Sequence, residues 1–341
     1  MENPVISIIT PAFNRADEID HLIRSINEQT LDHALFEHII SDDGSSDNTG
    51  DIVRQWQDKT DYPIHFITQE NQGPGAARNH GLEVSKGDLI LFIDSDCEAD
   101  PAWAETIYNE FMQNPFGACG GPDASKADFS VVQKAIDFAM TSFFTTGGMR
   151  GHSEKMLSKF FPRTHNMGLT RNVYEKVGGF GPLRHGQDIE LSNRIRRSGA
   201  DIRFIKDAVV YHRRRTSLRQ FFKQVFNWGV ARINLFKIDK QMLEPIHVLP
   251  ALGLIGIIAV TAGFFLHVPY FSGLFFIGLA ALGLLSVFGG IRQSSIGVML
   301  LLPLVIPIQI CGYGMGFLWA LFHRIILGHG SMTGFVKKYY N

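Results

Sequence analysis

The sequence predicts an α/β domain built on a mainly parallel sheet, followed by a bundle of transmembrane helices. Three observations predict it. Short β-branched runs alternate with amphipathic helical stretches in the first two thirds of the chain; acidic turns close two of those runs; and the last hundred residues are almost free of charge. The expected division is an α/β domain over residues 1–215, a basic amphipathic helix lying in the membrane interface over 216–241, and a membrane domain of three to four segments over 242–341.

The α/β reading rests on the order of the elements. Residues 5–10 are a short apolar run ending at Pro11, as a buried strand would. Residues 16–30 place Ile19, Leu22, Ile23 and Ile26 at helical spacing. Residues 37–41 form the next strand, followed by the turn-rich Asp42-Asp43-Gly44-Ser45-Ser46. A helix over 47–57, a strand over 64–68, a helix over 74–85 with Pro74 in its first turn, and a strand over 88–93 follow. Such alternation implies parallel strands joined by right-handed crossovers, with ligands gathered at the carboxyl ends of the strands. The pairs Asp42-Asp43 and Asp94-Ser95-Asp96 stand at such ends.

Charge is distributed unevenly. The net charge is −1, but residues 1–212 hold 20 Lys+Arg against 31 Asp+Glu, residues 213–240 hold 8 against 1, and residues 241–341 hold 4 against 1. An acidic front, a basic collar and an uncharged tail follow each other. No nucleic-acid partner is expected. Cys97, Cys119 and Cys311 are too far apart for a CxxC pair or a zinc set, and their odd number argues against a disulfide framework. MENPVISIIT has no basic segment before a long apolar core, so no cleaved leader is expected.

Residues 246–267 and 270–291 are each 22 residues without Asp, Glu, Lys or Arg, and residues 296–322 add 27 more. At ~1.5 Å per residue the first two make helices of ~33 Å, enough for a ~30 Å hydrocarbon core. The third contains Pro303, Pro307, Gly312, Gly314 and Gly316 and reads as one kinked span or a broken pair. The basic collar before the first span places the front domain in the cytoplasm, on the inner membrane. A simple three-span count would leave Arg324, Lys337 and Lys338 outside; a fourth crossing or a re-entrant third segment would not. Within residues 217–240, Phe221, Phe222, Val225, Phe226, Val230, Ile233 and Phe236 recur near helical spacing with basic residues between them, as in an interfacial helix.

The acidic turns carry the chemistry. Clustered carboxylates are costly to desolvate unless something positive joins them. Asp94 and Asp96, two residues apart after an apolar strand, offer hard oxygen donors for a divalent ion such as Mg²⁺ or Mn²⁺.

SIITPAFNR, SDDGSSDNT, NQGPGAARNHGLEVSKGDLILFIDSD, HNMGLTRNVYEKVGGF, GQDIELSNRIRRSGADIRF and FFKQVFNWG occur in that order. This text resembles the family 2 glycosyltransferases of GT-A fold, and among them the membrane-attached bacterial enzymes of polysaccharide and lipid-linked oligosaccharide assembly. The resemblance implies a nucleotide-sugar site made by Pro11, Phe13, Asn14, Asp43, Arg78, Asp94 and Ser95, with Asp43 accepting from the base and Arg78 near the diphosphate. An Asx turn for Asp43 and a salt bridge for Arg78 are the plainer readings. It implies a metal site of Asp94, Asp96 and His212, with a structural histidine as the alternative for His212. It implies Asp188 as the base of an inverting transfer, and an acceptor side made by Asn166, Met167, Gln187, Gln224 and Trp228.

Two positions depart from the family pattern. Gln187 stands where the family has Glu beside the base, and Asn227 replaces Arg in Gln224–Trp228, which argues against a processive polymer synthase. The expected activity is transfer from a nucleotide-sugar, a UDP-sugar by analogy, to a lipid-linked saccharide. Transfer to bare polyprenyl phosphate is the alternative. Two other classes stand further off. Gly73-Pro74-Gly75-Ala76-Ala77-Arg78 begins like a nicotinamide-binding loop, but Arg78 occupies the third glycine position. A non-catalytic scaffold would not need Asp43, Asp94, Asp96 and Asp188 together.

Overall fold

The computed structural model describes residues 4–124, 129–146, 160–212 and 217–335. In chain order the elements are β1 (Ile6–Ala12), α1 (Ala16–Asn27), β2 (Phe36–Asp42), α2 (Thr49–Gln57), β3 (Ile64–Thr68), α3 (Pro74–Val84), β4 (Leu89–Phe92), β5 (Cys97–Ala99), α4 (Trp103–Gln113), β6 (Ala118–Gly120) and β7 (Asp123–Ala124). Then come α5 (Val131–Thr141), α6 (Phe143–Thr146), β8 (Met167–Thr170), α7 (Arg171–Val177), α8 (Gln187–Arg197), β9 (Ile202–Phe204), β10 (Val210–His212) and α9 (Leu218–Ile238). Three long helices close the chain: α10 (Leu249–Phe265), α11 (Pro269–Arg292) and α12 (Ile296–Ala320).

These elements form two compact units. The first holds the described residues up to Ala124 together with 160–212. The second holds 129–146 and 217–335. α5 and α6 interrupt the α/β unit in sequence and pack with the long helices, because the apolar face Ala135, Ile136, Phe138, Ala139 and Met140 is buried in that core.

The α/β unit is a seven-stranded sheet of order β3-β2-β1-β4-β8-β6-β9. β1, β2, β3 and β4 pair in parallel, β8 runs antiparallel to β4 and β6, and β6 pairs in parallel with β9. The apolar runs are buried on both faces, as parallel strands covered by helices require. Ile8, Ile40, Leu89 and Leu91 enter one core, while Ile9, Ile39, Ile90 and Phe92 enter the other. The order reverses between β1 and β4, whose neighbouring carboxyl ends define the crevice where ligands bind in such sheets. β5, β10 and β7 form a small second sheet.

The helical unit contains three helices long and apolar enough to cross a membrane, at Pro245–Phe265, Pro269–Arg292 and Ile296–Ile326. The third is one continuous helix with Pro303 and Pro307 inside it, not a broken pair. Much of their surface is apolar and exposed, including Leu252, Ile258, Leu274, Ile277, Leu284, Leu300 and Leu304. The collar helix α9 corrects an expectation. Its apolar stripe, Phe221, Val225, Val230 and Ile233, is fully buried in protein instead of facing lipid. Glycines allow the close approach to α12: Gly312 lies on Val225, and Gly316 on the Phe226 carbonyl. The polar side of α9 also has a job. Asn227 donates to the Phe335 carbonyl and accepts from its N–H, at 2.9 and 2.8 Å. Asn234 does the same with Met332, at 2.7 and 3.3 Å.

A side chain at Gly229 would run into the Tyr313 carbonyl and the Phe317 nitrogen, whereas Gly256 faces open space. Gly229→Leu is expected to cost ~1–3 kcal/mol or more by overpacking and to lower the melting temperature of the detergent-solubilised protein. Gly256→Leu leaves it unchanged. Thermal unfolding followed by intrinsic fluorescence checks both.

Candidate active site

The crevice begins at the ends of β1 and β2. Pro11 is buried within β1, and Phe13 is half-buried just beyond it. Asn14 adopts φ 49°, one of the few left-handed non-glycine residues, a conformation asparagine tolerates. Its side-chain Oδ1 accepts from the Ser46 and Asp47 N–H groups at 2.8 and 3.3 Å, and its backbone N–H donates to Ser45 Oγ at 2.8 Å. Asp42 closes the adjacent turn by accepting from Ser45. The two strand-end loops are thereby stitched together.

Asp43 lies next, 2 % exposed. Its Oδ1 accepts from Gln69 Nε2 at 2.7 Å and from the Gln72 N–H at 2.9 Å, and its Oδ2 accepts from the Gly73 N–H at 2.7 Å. Three of the carboxylate's four acceptor positions are therefore used in shaping the 69–73 loop. That loop leads into α3 through Gly73, whose φ of 97° favours glycine.

α3 carries Arg78, which is 5 % exposed. Its Nη2 meets Asp94 Oδ1 at 2.5 Å, its guanidinium lies 5.4 Å from the Phe180 ring centroid, and its Nε has no hydrogen-bond partner. Ser95 is buried beside it. Asp96 is also buried, with Arg15 Nη2 4.0 Å away. The small sheet sets β10 antiparallel to β5, so that His212 is opposite Cys97, and parallel to β7, which brings up Asp123. The side chain of His212 lies outside the described residues. Burial, followed by Asp96, Asp94 and Asp123, pushes the Cys97 thiol well above its ordinary value, so this cysteine is no nucleophile.

Among the described residues no group of three His, Cys, Asp or Glu is arranged to hold a metal ion. Magnesium-type ions are usually held by one or two carboxylates plus substrate phosphates. Asp94 and Asp96, hard oxygen donors on one turn, fit that arrangement.

Asp188 is the second residue of α8, after Gly186 at φ 82°. It is partly buried, its side chain 19 % exposed, and Arg163 Nη1 meets its Oδ2 at 3.1 Å. Burial pushes its carboxyl up, but the charge and hydrogen bond of Arg163, the Ile189 N–H and His165 outweigh this and hold it below the ordinary value. His165 Nε2 lies 4.0 Å from Asp123 Oδ1. Gln187 packs directly over Gly75: a methyl group there would collide with the Gln187 amide. The first turn of α3 thus joins three expected participants. Gly73 is bonded to Asp43, Gly75 lies under Gln187 beside Asp188, and Arg78 is paired with Asp94.

The acceptor-side expectations need correction at two residues. Asn166 is 1 % exposed, and its amide is used structurally. It accepts from Trp103 Nε1 at 3.0 Å and donates to the Pro122 and Ala208 carbonyls at 3.1 and 2.8 Å. Met167 starts β8 and points into the apolar core. Gln224 and Trp228 belong to the helical unit, on α9. Arg15, Asp123 and Arg163 were not singled out from the sequence. Their pairing is non-local, although Arg163 lies just before the HNMG text.

Residues 7–178 match Glycosyl transferase family 2. Glycosyltransferase AglE of Haloferax volcanii is 27 % identical over 254 residues, covering 74 % of this chain and 81 % of that one. The GalNAc(5)-diNAcBac-PP-undecaprenol beta-1,3-glucosyltransferase of Campylobacter jejuni is 36 % identical over 120 residues, 34 % of this chain and 38 % of that one. Among solved structures, the mannosyltransferase PcManGT of Pyrobaculum calidifontis, in complex with GDP-Man and Mn²⁺, shares the fold with a TM-score of 0.65 at 18 % identity, covering 94 % of this chain and 88 % of that one. With half the chain inside the family match, and with the GT-A sheet and its strand-end carboxylates in place, this protein belongs to glycosyl transferase family 2 and is a glycosyltransferase.

Proposed function

We propose that the protein is a membrane-attached, metal-dependent, inverting glycosyltransferase that moves a sugar from a nucleotide-sugar to a lipid-linked saccharide at the cytoplasmic face of the membrane. The observation that carries this reading is the first turn of α3, which ties Asp43, Asp94 and the start of α8 to one crevice. The Campylobacter relative, a glucosyltransferase named for a saccharide on undecaprenol diphosphate, supports the acceptor class. The three long apolar helices and the basic collar support attachment with the catalytic unit in the cytoplasm.

Each residue has a task in this scheme. Pro11, Phe13, Asn14 and Asp43 frame the base and ribose, with a uridine nucleotide as the first donor to try. Arg78 exchanges Asp94 for the donor diphosphate, because a phosphate oxygen is as good an acceptor for a guanidinium as a carboxylate. Asp94, Asp96 and, from its strand position, His212 are the residues that would hold the divalent ion, which when bound stabilises negative charge on the departing diphosphate. Asp188 takes the proton of the acceptor hydroxyl as that oxygen attacks the anomeric carbon and the bond to the diphosphate breaks on the opposite face. Arg163 holds the Asp188 carboxylate ionised and in place. Gln187, wedged on Gly75, fixes the start of α8.

Four outcomes are expected. Asp188→Asn lowers kcat for sugar transfer by ~10²–10⁴-fold while the Kd for the nucleotide, read by isothermal titration, is unchanged. A panel of sugar nucleotides assayed for diphosphate release in membranes identifies the donor, and the lipid extract identifies the product; a mild-acid-labile monosaccharide lipid would redirect the acceptor to bare polyprenyl phosphate. Arg163→Met removes the cation that holds the Asp188 carboxyl down and leaves the burial that pushes it up. Its acid limb therefore moves to higher pH than in the native enzyme, as read from log kcat/KM against pH. Chelation with EDTA abolishes transfer, and Mn²⁺ or Mg²⁺ restores it.

A further inference from the structure

We infer that Phe180 is a positioning residue of the donor site: the face of its ring holds the Arg78 guanidinium in the orientation that receives the donor diphosphate. The inference rests on the proposed reading that Arg78 meets that diphosphate, and its test separates the two.

Hydrogen bonds fix Arg78 poorly. Its Nη2 meets Asp94 Oδ1, its Nη1 reaches the Pro74 carbonyl at a long 3.4 Å, and its buried Nε has no partner. In the proposed reaction Arg78 exchanges Asp94 for a phosphate oxygen, so the guanidinium gives up its one short bond just when it must stay aimed. What does not change is the Phe180 ring, whose centroid lies 5.4 Å from the guanidinium carbon. A guanidinium over an aromatic face is attracted by the negative π cloud, and more strongly when both partners are out of water. Arg78 and Phe180 are 5 % and 6 % exposed. The stack uses no N–H donor, so it orients the cation and leaves its hydrogen bonds for the ligand.

The segment that carries the ring is pinned from both sides of the crevice. Asn79, next to Arg78 on α3, accepts from the Phe180 N–H at 2.7 Å and donates to the Phe180 carbonyl at 2.9 Å. Arg194 of α8 donates to the Val177 and Gly179 carbonyls, the second at 2.6 Å. A side chain at Gly179 would strike the Asn79 amide. The ring itself stands edge-on to Phe92 of β4, two residues before Asp94, with centroids 5.2 Å apart. Phe180 is therefore registered to the helix that carries Arg78, to the strand that leads to Asp94 and to the helix that opens with Gln187 and Asp188. A residue that only filled the core there would need apolar bulk, and leucine would supply it. What leucine lacks is the π face.

The test measures nucleotide binding by the full chain in detergent. The probe is UDP or GDP with Mn²⁺, whichever the native protein binds, read by isothermal titration. Phe180 is replaced by its mono-, di- and trifluorinated analogues, which drain the π face and barely alter the shape. Kd is expected to rise stepwise, by about tenfold in all, at an unchanged melting temperature. Phe180→Leu is expected to weaken binding by a similar factor in the native background and not at all in Arg78→Met, because its effect passes through the guanidinium. A flat Kd across the fluorinated series overturns the inference, and so does an equal loss from Phe180→Leu in both backgrounds. If Arg78→Met binds the nucleotide as tightly as the native protein does, or if the native protein binds neither nucleotide, the diphosphate reading fails and takes the inference with it. The fluorinated series leaves Arg78 in place, so it decides the matter even if Arg78→Met does not fold.

Discussion

The Asp43 carboxylate accepts hydrogen bonds from the backbone of Gln72 and Gly73, and through them it sets the entry into α3. The rest of the crevice is registered to that turn. Gly73 takes the left-handed conformation that starts the helix, Gly75 leaves room for Gln187, and Arg78, one turn on, reaches Asp94. Charge-assisted bonds to buried backbone donors are among the stronger local interactions in proteins, and losing one leaves the donor unpaired. The loop that approaches the diphosphate in the proposed reaction is thus held from below by a carboxylate at the end of β2, not by its own sequence alone.

A second regularity follows. Three acidic groups of the crevice face a guanidinium: Asp94 faces Arg78, Asp96 faces Arg15, and Asp188 faces Arg163. Carboxylates removed from water need such compensation. Binding an anionic donor with its cation would let these pairs exchange partners. Asp188 stands apart from that exchange, because Arg163 comes from a different segment and is not shared with the diphosphate side.

Much of this was legible in the sequence, and for identifiable reasons. β1, β2 and β4 are runs buried on both faces, so composition alone marks them, and the acidic turns after β2 and β4 follow from where such runs stop. The long helices were legible because hydropathy needs no partner to be read. What was not legible depends on contacts between distant segments. Nothing local in the residues of α5 says that its apolar face belongs to α12. Asn166 lies in text that reads as functional, yet its amide is spent on Trp103, Pro122 and Ala208. Asp123, Arg15 and Arg163 acquire their roles only when the strands and α8 bring them together. The aromatic stripe of α9 reads as lipid-facing until the glycines of α12 show how close the two helices come.

The clasp that α9 places on the C-terminal stretch illustrates how one helix face can fix a segment without specifying it. Asn227 and Asn234 are seven residues apart, two turns along the same face, and both grip main-chain groups of residues 332 and 335. Amides that read backbone are indifferent to the side chains attached to it. Only Gly334, at φ 61° and against the Asn227 amide oxygen, is conformationally committed. The side chains on either side of that glycine add to the hold, Met332 against the helical core and the Phe335 ring edge-on to Phe226 at 4.8 Å.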